Sequence, residues 1–256
     1  MSDIKTFMNQ NGYYVIKGAI PADEVALFKE TIVNYFKNTD NDTVEGNTAQ
    51  PNAFNKEELF ALHKLFSLNS LIGPMRDLLD GDVCFLHNSD VHYNFLALGW
   101  HDDTQIRHLA KKPQNYNLFE GSLTNDMPFK AYNIGIYLQD HPDGGALSVF
   151  AGSHKNGPGT GDGTDISDRQ KIESQAEINL CVQAGDAVVF DIRTFHHGNI
   201  GENKDRATIF FGLGAKNIHS YYSARGSIER QERETRRSYS PCKELQTVLK
   251  ENNIQL

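Results

Sequence analysis

Cysteine is scarce in this chain. The three residues, Cys84, Cys181 and Cys242, stand far apart with no C-x-x-C spacing. An odd, sparse set suits a reducing compartment better than a disulfide framework, so a cytoplasmic protein is expected. Basic charge is short as well: 25 Lys and Arg against 33 Asp and Glu leave a formal net charge of −8. That balance argues against a nucleic-acid or anionic-membrane partner, because phosphate contacts need clustered Lys and Arg. There is no apolar run of the roughly 18 residues that a membrane span requires. The opening MSDIKTFMNQNG has no basic segment followed by an apolar one, so no signal peptide is expected. Internal repeats are lacking too, and the one biased stretch is the glycine-rich NGPGTGDGTD. What is present is ordinary globular composition, 39% hydrophobic and 23% charged, enough to bury a sizeable core. No linker divides it, and a single domain over residues 1–256 is expected.

The first third reads as mainly helical, over residues 1–80. After a short strand at YYVIKG (13–18), residues 21–38 place Val25, Leu27, Phe28, Ile32, Val33 and Phe36 at helical spacing behind Pro21. Residues 40–52 read as loop, and 56–67 and 70–79 as two more helices. From residue 82 the period changes to two. Segments 83–98, 131–140, 145–152, 178–183, 186–191 and 207–214 are rich in β-branched and aromatic residues and bounded by turn residues. Many short strands without intervening helices predict an antiparallel sandwich or barrel over about 82–214. Residues 215–256 form a helical tail in which ARGSIERQERETRR (224–237) reads as a solvated face. Two long connections, 104–130 and 153–177, have the character of lids or disordered loops.

The chemistry-bearing residues lie along the strand-rich part. In GWHDDTQ, His101 and Asp103 are two residues apart, so on a strand both aim to one face, as a shared metal requires. DAVVFDIRTFHHGN is an apolar strand ending in His196 and His197, either of which would supply a remote third ligand. Two histidines and one carboxylate suit Fe(II) with coordination positions left open. Arg206 follows, with Thr208 on its face. The planar guanidinium fork and a hydroxyl can hold a carboxylate, and 2-oxoglutarate is an acid that meets both needs, chelating iron at one end and Arg206 at the other.

Three stretches, WHDD (100–103), YLQDHPDGGALSVFAGSHK (137–155) and GDAVVFDIRTFHHGNIGENKDR (185–206), occur in order and resemble the phytanoyl-CoA dioxygenase-like family of Fe(II)/2-oxoglutarate oxygenases; GYYVIKGAIPADEV resembles the family's opening. The resemblance implies a double-stranded β-helix (jelly-roll, cupin-like) barrel with flanking helices. It implies His101, Asp103 and His196 as catalytic iron ligands, Arg206 as the 2-oxoglutarate anchor, and O2 as the second cosubstrate. His196 is preferred over His197 because D-x-R-x-x-H matches the family phrase. Ala151 replaces a usual proline, which touches a turn more than chemistry. Asp103 is a carboxylate where related halogenases have Gly or Ala, which argues against halogenation. The implied reaction oxidises a C–H bond, by hydroxylation, desaturation or ring closure, and releases succinate and CO2.

Further candidates follow from strand geometry. Asn88, Asp90, His92 and Asn94 alternate before the motif, and Asn94, His92 and Asn133 are the expected additional 2-oxoglutarate contacts. Trp100 is expected to pack beside the site, with Phe190, Phe195, Phe210 and Phe211 as an apolar surround. The substrate, a polar small molecule such as an amino-acid-derived metabolite, is expected under residues 104–130, where Arg107, His108, Lys111, Lys112, Tyr116 and Asn117 offer polar groups. His108, His141, His154 and His219 otherwise read as surface or turn residues. No phosphate-binding cluster points to a CoA thioester. The rival expectation is a metal-binding or small-molecule-binding protein on the same barrel, which leaves the Arg206-x-Thr208 spacing unexplained.

Overall fold

Alternation of apolar and polar residues governs how the strands are used in a computed structural model, which describes residues 4–38, 48–95, 99–111, 128–155, 177–198 and 205–256. The N-terminal part runs α1 (Ile4–Asn11), β1 (Tyr13–Ile16), α2 (Ala22–Asn38), β2 (Thr48–Pro51), 3-10 turns at Ala53–Asn55 and Glu57–Ser67, and α3 (Asn69–Leu78). Pro21 precedes α2, Asp23 and Glu24 occupy its positive first turn, and Phe28, Ile32, Tyr35 and Phe36 form its buried stripe. Compared with the sequence expectation, the 56–67 helix is a run of 3-10 turns, α1 is additional, and β2 falls in a stretch read as loop.

The strand-rich part supplies β3 (Val83–Tyr93), β4 (Ala131–Tyr137), β5 (Leu147–Phe150), β6 (Glu177–Leu180), β7 (Ala187–Asp191), β8 (His196–Gly198) and β9 (Ala207–Gly214). Then come α4 (Ile218–Thr235), α5 (Lys243–Glu251) and β10 (Ile254–Gln255). The larger sheet has the order β1-β7-β4-β9-β3-β10, with β2 also on β3; the smaller is β6-β5-β8. The pairs are antiparallel except β10, which adds to β3 in parallel and gives the helical tail a strand that was not expected.

One face of the larger sheet carries the main core. Ala207, Ile209, Phe211 and Leu213 of β9, Ile134 and Ile136 of β4, and Val189 of β7 pack against the N-terminal helices. The other face turns toward the smaller sheet and a cavity. Phe211, expected near the site, belongs to the core side for this reason, whereas Phe210 lines the cavity. In β3 the register against β9 shifts between Phe85 and Ser89, where His87 takes a left-handed φ of 56°. Beyond this bulge Val91 continues into the core while Asp90 and His92 line the cavity.

The C-terminal helix α4 corrects a second expectation. Its Ser223, Gly226, Ser227 and Gln231 are buried against β3 and residues 105–108, so 224–237 is not a solvated face throughout. Among the described residues no helix is long and apolar enough to cross a membrane.

Candidate metal and cosubstrate site

The turn from β7 to β8 is held from several sides. Asp191 pairs with Arg193 through Nη2–Oδ2 at 2.7 Å and Nε–Oδ1 at 2.9 Å, and the guanidinium lies 3.8 Å from the centre of the Phe129 ring. Thr194 Oγ1 donates to the Gly12 carbonyl at 2.8 Å, and Phe195 N donates to Ser153 Oγ at 2.9 Å. Gly12 has no room for a side chain: φ is 78°, and a Cβ would meet His154 Nδ1 at 2.4 Å. This bracing fixes His196 at the start of β8.

The H-x-D segment reaches His196 by a different route from the one expected. It is not a strand: His101 makes an isolated antiparallel bridge to His196, with N–H donating to C=O at 2.9 Å in both directions. Asp103 N donates to the Ile192 carbonyl at 2.8 Å. The neighbouring Asp102 is buried and turns back to accept Thr104 N–H at 2.9 Å, so the two aspartates divide into one facing the histidines and one holding the turn.

His101, Asp103 and His196 each offer a ligating atom, and these atoms lie within 4.8 Å of one another. His101 Nε2 is 3.7 Å from Asp103 Oδ1 and His196 Nε2 is 3.5 Å from Oδ2. The other ring nitrogens settle the tautomers. His101 Nδ1 is 2.7 Å from the Gly99 carbonyl and His196 Nδ1 is 2.9 Å from that of Thr194. A carbonyl only accepts, so each Nδ1 carries a hydrogen and each Nε2 is the nitrogen left to ligate a metal. Burial lowers the His196 pKa to about 4, which keeps it neutral. Asn133 Nδ2 donates to Asp103 Oδ2 at 2.6 Å and itself accepts from Asn88 at 2.8 Å, orienting the carboxylate. Two imidazoles with Nε2 turned inward and an oriented carboxylate fit a divalent first-row metal. His197 turns away: its Nε2 is 3.8 Å from Glu177 and its ring is edge-on to Trp100, 4.3 Å between centres. Trp100 stacks on Phe150 at 4.2 Å and Phe195 at 5.7 Å beside the site, and Phe190 packs on His196 at 4.5 Å.

The three residues open onto a cavity of about 290 Å³, lined also by Asn88, Asp90, His92, Asn133 and Arg206. Arg206 is anchored by its backbone, which exchanges hydrogen bonds with Asn94: Arg206 N to Asn94 Oδ1 at 2.9 Å, and Asn94 N to Arg206 O at 2.8 Å. Burial pulls its guanidinium below the usual value, a cost that a bound anion would offset. Asn94, expected to touch the cosubstrate, does not line the cavity; its left-handed φ of 52° turns its side chain onto the Arg206 backbone. Thr208 likewise is buried in β9 without lining the cavity.

Sequence reasoning missed several lining residues. Tyr137 is buried against Phe210 and His141, and its Oη has no hydrogen-bond partner among the described residues. As an aromatic in an apolar strand it carried no functional signal. His141 is no surface residue: it is buried, lines the cavity and accepts from Gln139 Nε2 at 2.8 Å, while Gln139 Oε1 receives Ala207 N–H at 2.7 Å. His154 and His219 are buried as well, away from the cavity. Gln105 and Arg230 also line it, with Phe95 and Leu147 among the apolar residues.

The expected substrate residues are not brought together. Arg107 turns onto Asp102, 3.0 Å from its carbonyl. His108 sits 3.0 Å from Arg233 and Lys111 is exposed; neither lines the cavity. Lys112, Tyr116 and Asn117 lie outside the described residues.

Comparison with known proteins adds four matches. A family model described as phytanoyl-CoA dioxygenase (PhyH) matches residues 8–204. An ectoine dioxygenase of Stutzerimonas stutzeri (strain A1501) is 25% identical over 238 residues, covering 79% of this chain and 72% of that protein. Among solved structures, EctD from S. alaskensis with 2-oxoglutarate and 5-hydroxyectoine is similar with a TM-score of 0.62 and 19% identity, over 84% of this chain and 76% of that one. The non-heme α-ketoglutarate-dependent epimerase SnoN from nogalamycin biosynthesis gives 0.63 and 15%, over 83% and 82%. At these identities the structural matches speak for the fold.

Proposed function

From the premise that this chain belongs to the phytanoyl-CoA dioxygenase family and is an iron- and 2-oxoglutarate-dependent oxygenase, we propose that His101, Asp103 and His196 hold one ferrous ion and that Arg206 anchors 2-oxoglutarate. The observation that carries this reading is the convergence of three ligating atoms within 4.8 Å, both histidines carrying their hydrogen on the far nitrogen, at a cavity that Arg206 also lines. Bound iron, 2-oxoglutarate and O2 supply the oxidising chemistry, in which a substrate C–H bond is oxidised while succinate and CO2 leave. The chain's residues bind and orient. Asn133 keeps the Asp103 carboxylate turned toward the histidines, Asn94 holds the Arg206 backbone, and His92, lowered to about 4 by burial, stays neutral beside the cosubstrate. Tyr137 Oη is a donor in want of an acceptor, which the cosubstrate's remote carboxylate would provide. Phe95, Phe210 and Leu147 exclude water from the reacting carbon.

The two sheets are the halves of a double-stranded β-helix within one domain, with a helical part at 1–80, a core at 82–214 and a tail at 215–256. The cavity lies near the lower end of the range for ligand sites, about 300–1,000 Å³, which suits 2-oxoglutarate beside a small polar metabolite and not a CoA thioester. Hydroxylation is the expected outcome, with desaturation or ring closure decided by where the substrate carbon is held. The protein is cytoplasmic and acts on no nucleic acid or membrane.

The test is anaerobic titration of metal-free protein with Fe(II) and 2-oxoglutarate, read by the visible metal-to-ligand charge-transfer band. A band in the wild type, lost in His101→Ala and weakened in Arg206→Ala, is the expected result. A folded wild type without a band sinks the proposal.

A further inference from the structure

The cavity has a second charged end. Arg230 lies on the inner face of α4, one turn beyond Gly226, whose missing side chain lets the helix press onto Gln105: a Cβ at 226 would sit 2.1 Å from the Gln105 carbonyl oxygen. Residues four apart share a helix face, so this contact delivers Arg230 to the cavity instead of to solvent. Asp90 projects into the same cavity from β3, its Oδ2 4.0 Å from Arg230 Nη2, beyond hydrogen-bonding distance. Arg230 Nε and Gln105 Oε1 are both buried without a hydrogen-bond partner among the described residues. Polar atoms in that state cost stability until something pairs with them. A cation and an anion that face one cavity within ion-pair range, yet with no hydrogen bond between them, are placed for a ligand that carries both signs.

Charge balance narrows the choice. Among the described residues, four lining side chains carry a formal charge: Asp90, Asp103, Arg206 and Arg230. On the cosubstrate reading above, on which this inference rests, the two charges of a ferrous ion and the one of Arg206 cancel the single charge of Asp103 and the two of 2-oxoglutarate. Asp90 and Arg230 then face whatever binds next, one charge of each sign. A net anion or a net cation would leave one of them opposed by a like charge in a partly desolvated site. We propose that the substrate is a small zwitterion of the amino-acid type, its carboxylate held by the Arg230 guanidinium and its ammonium by Asp90. Burial pushes the Asp90 carboxyl up to about 6 while Arg230 pulls against it, so at neutral pH it is mainly ionised. Phe95, Phe210 and Leu147 provide the wall for the apolar part of such a molecule.

The experiment is anaerobic calorimetry on protein loaded with Fe(II) and 2-oxoglutarate. The probes are the proteinogenic α-amino acids and glycine betaine, then the N-acetyl and carboxamide forms of the tightest-binding amino acid. At least one zwitterion is expected to bind, and blocking either of its charges should weaken it on the order of tenfold or more. Arg230→Gln should abolish the preference for the free carboxylate and Asp90→Asn the preference for the free amine. The charge-transfer band, measured in every variant, reports that iron and cosubstrate are still held. A wild type that shows the band but binds no zwitterion, or binding indifferent to both substitutions, overturns this inference and leaves the cosubstrate reading standing. Loss of the band in the wild type defeats the cosubstrate reading itself.

Discussion

The two faces of the larger sheet share strands but not tasks. Along β9, Ala207, Ile209, Phe211 and Leu213 pack against helices, while Phe210 and, just before the strand, Arg206 look into the cavity. Along β4, Ile134 and Ile136 are core, while Asn133 and Tyr137 line the cavity. The apolar face is stabilised by area removed from water, which tolerates exchange of one hydrophobe for another. The polar face is specified by pairing in part, from Asn88 to Asn133 to Asp103, and in part by groups such as Tyr137 Oη that await a ligand. Substitutions on the first face should therefore move stability, and those on the second should move ligand binding.

The largest effect is expected at His196. His196→Ala should abolish the iron-dependent band and reduce turnover to background, with a loss of thermal stability small beside that of a core truncation. Equal loss of both would mean that His196 is a core residue and not a ligand. Phe211→Ala, on the opposite face, should cost about 3–5 kcal/mol in denaturant unfolding while the band persists in the folded fraction; a lost band in folded protein would erase the distinction between the faces. Gly226→Ala drives a Cβ against the Gln105 backbone and should cost about 1–3 kcal/mol as overpacking, displacing Arg230. Calorimetry of the zwitterion with this variant should show weaker binding at unchanged 2-oxoglutarate affinity.

Smaller effects sharpen the comparison further. Asn94→Gly retains the left-handed conformation and removes the acceptor for Arg206 N. It should raise the 2-oxoglutarate dissociation constant several-fold, worth about 1 kcal/mol; no change would mean that Asn94 is merely a turn residue. Asp80, far from either face's chemistry, is held between Lys130 and Lys5, whose hydrogen bonds lower its carboxyl to about 2. A depressed carboxylate stabilises the fold fully above its unfolded value near 4 and loses that contribution as pH falls toward 2. Asp80→Asn should thus be less stable than wild type at pH 7 by a few tenths of a kcal/mol, the pair being exposed. The difference should vanish by about pH 2 in acid-unfolding curves.

Much of the constellation was legible because its parts are local. His101 and Asp103 are close in sequence, His196 ends a recognisable strand, and Arg206 follows it at a spacing that can be counted. The strand assumed for His101 and Asp103 was not needed, since a single reciprocal bridge to His196 places them. Arg230 was illegible. In ARGSIERQERETRR it is one arginine among several interleaved with acids, and nothing nearby distinguishes it from Arg225 or Arg233. Its role depends on Gly226 letting α4 approach Gln105, a contact between segments far apart along the chain. Tyr137 and His141 were hidden for a similar reason, one as a strand aromatic and the other as a turn histidine.

By itself the sequence determined the period-two pattern of the strands, which donor atoms were available to a metal, and the family to which the chain belongs. Those properties reside in short-range periodicity and motif spacing, which a chain carries before it folds. Only the tertiary structure decided which imidazole nitrogens point at Asp103, that Asn94 and Thr208 stand behind the cavity wall, and that α4 closes the cavity with a cation opposite Asp90. Orientation and charge pairing depend on what lies across a gap, and that is set when distant segments pack.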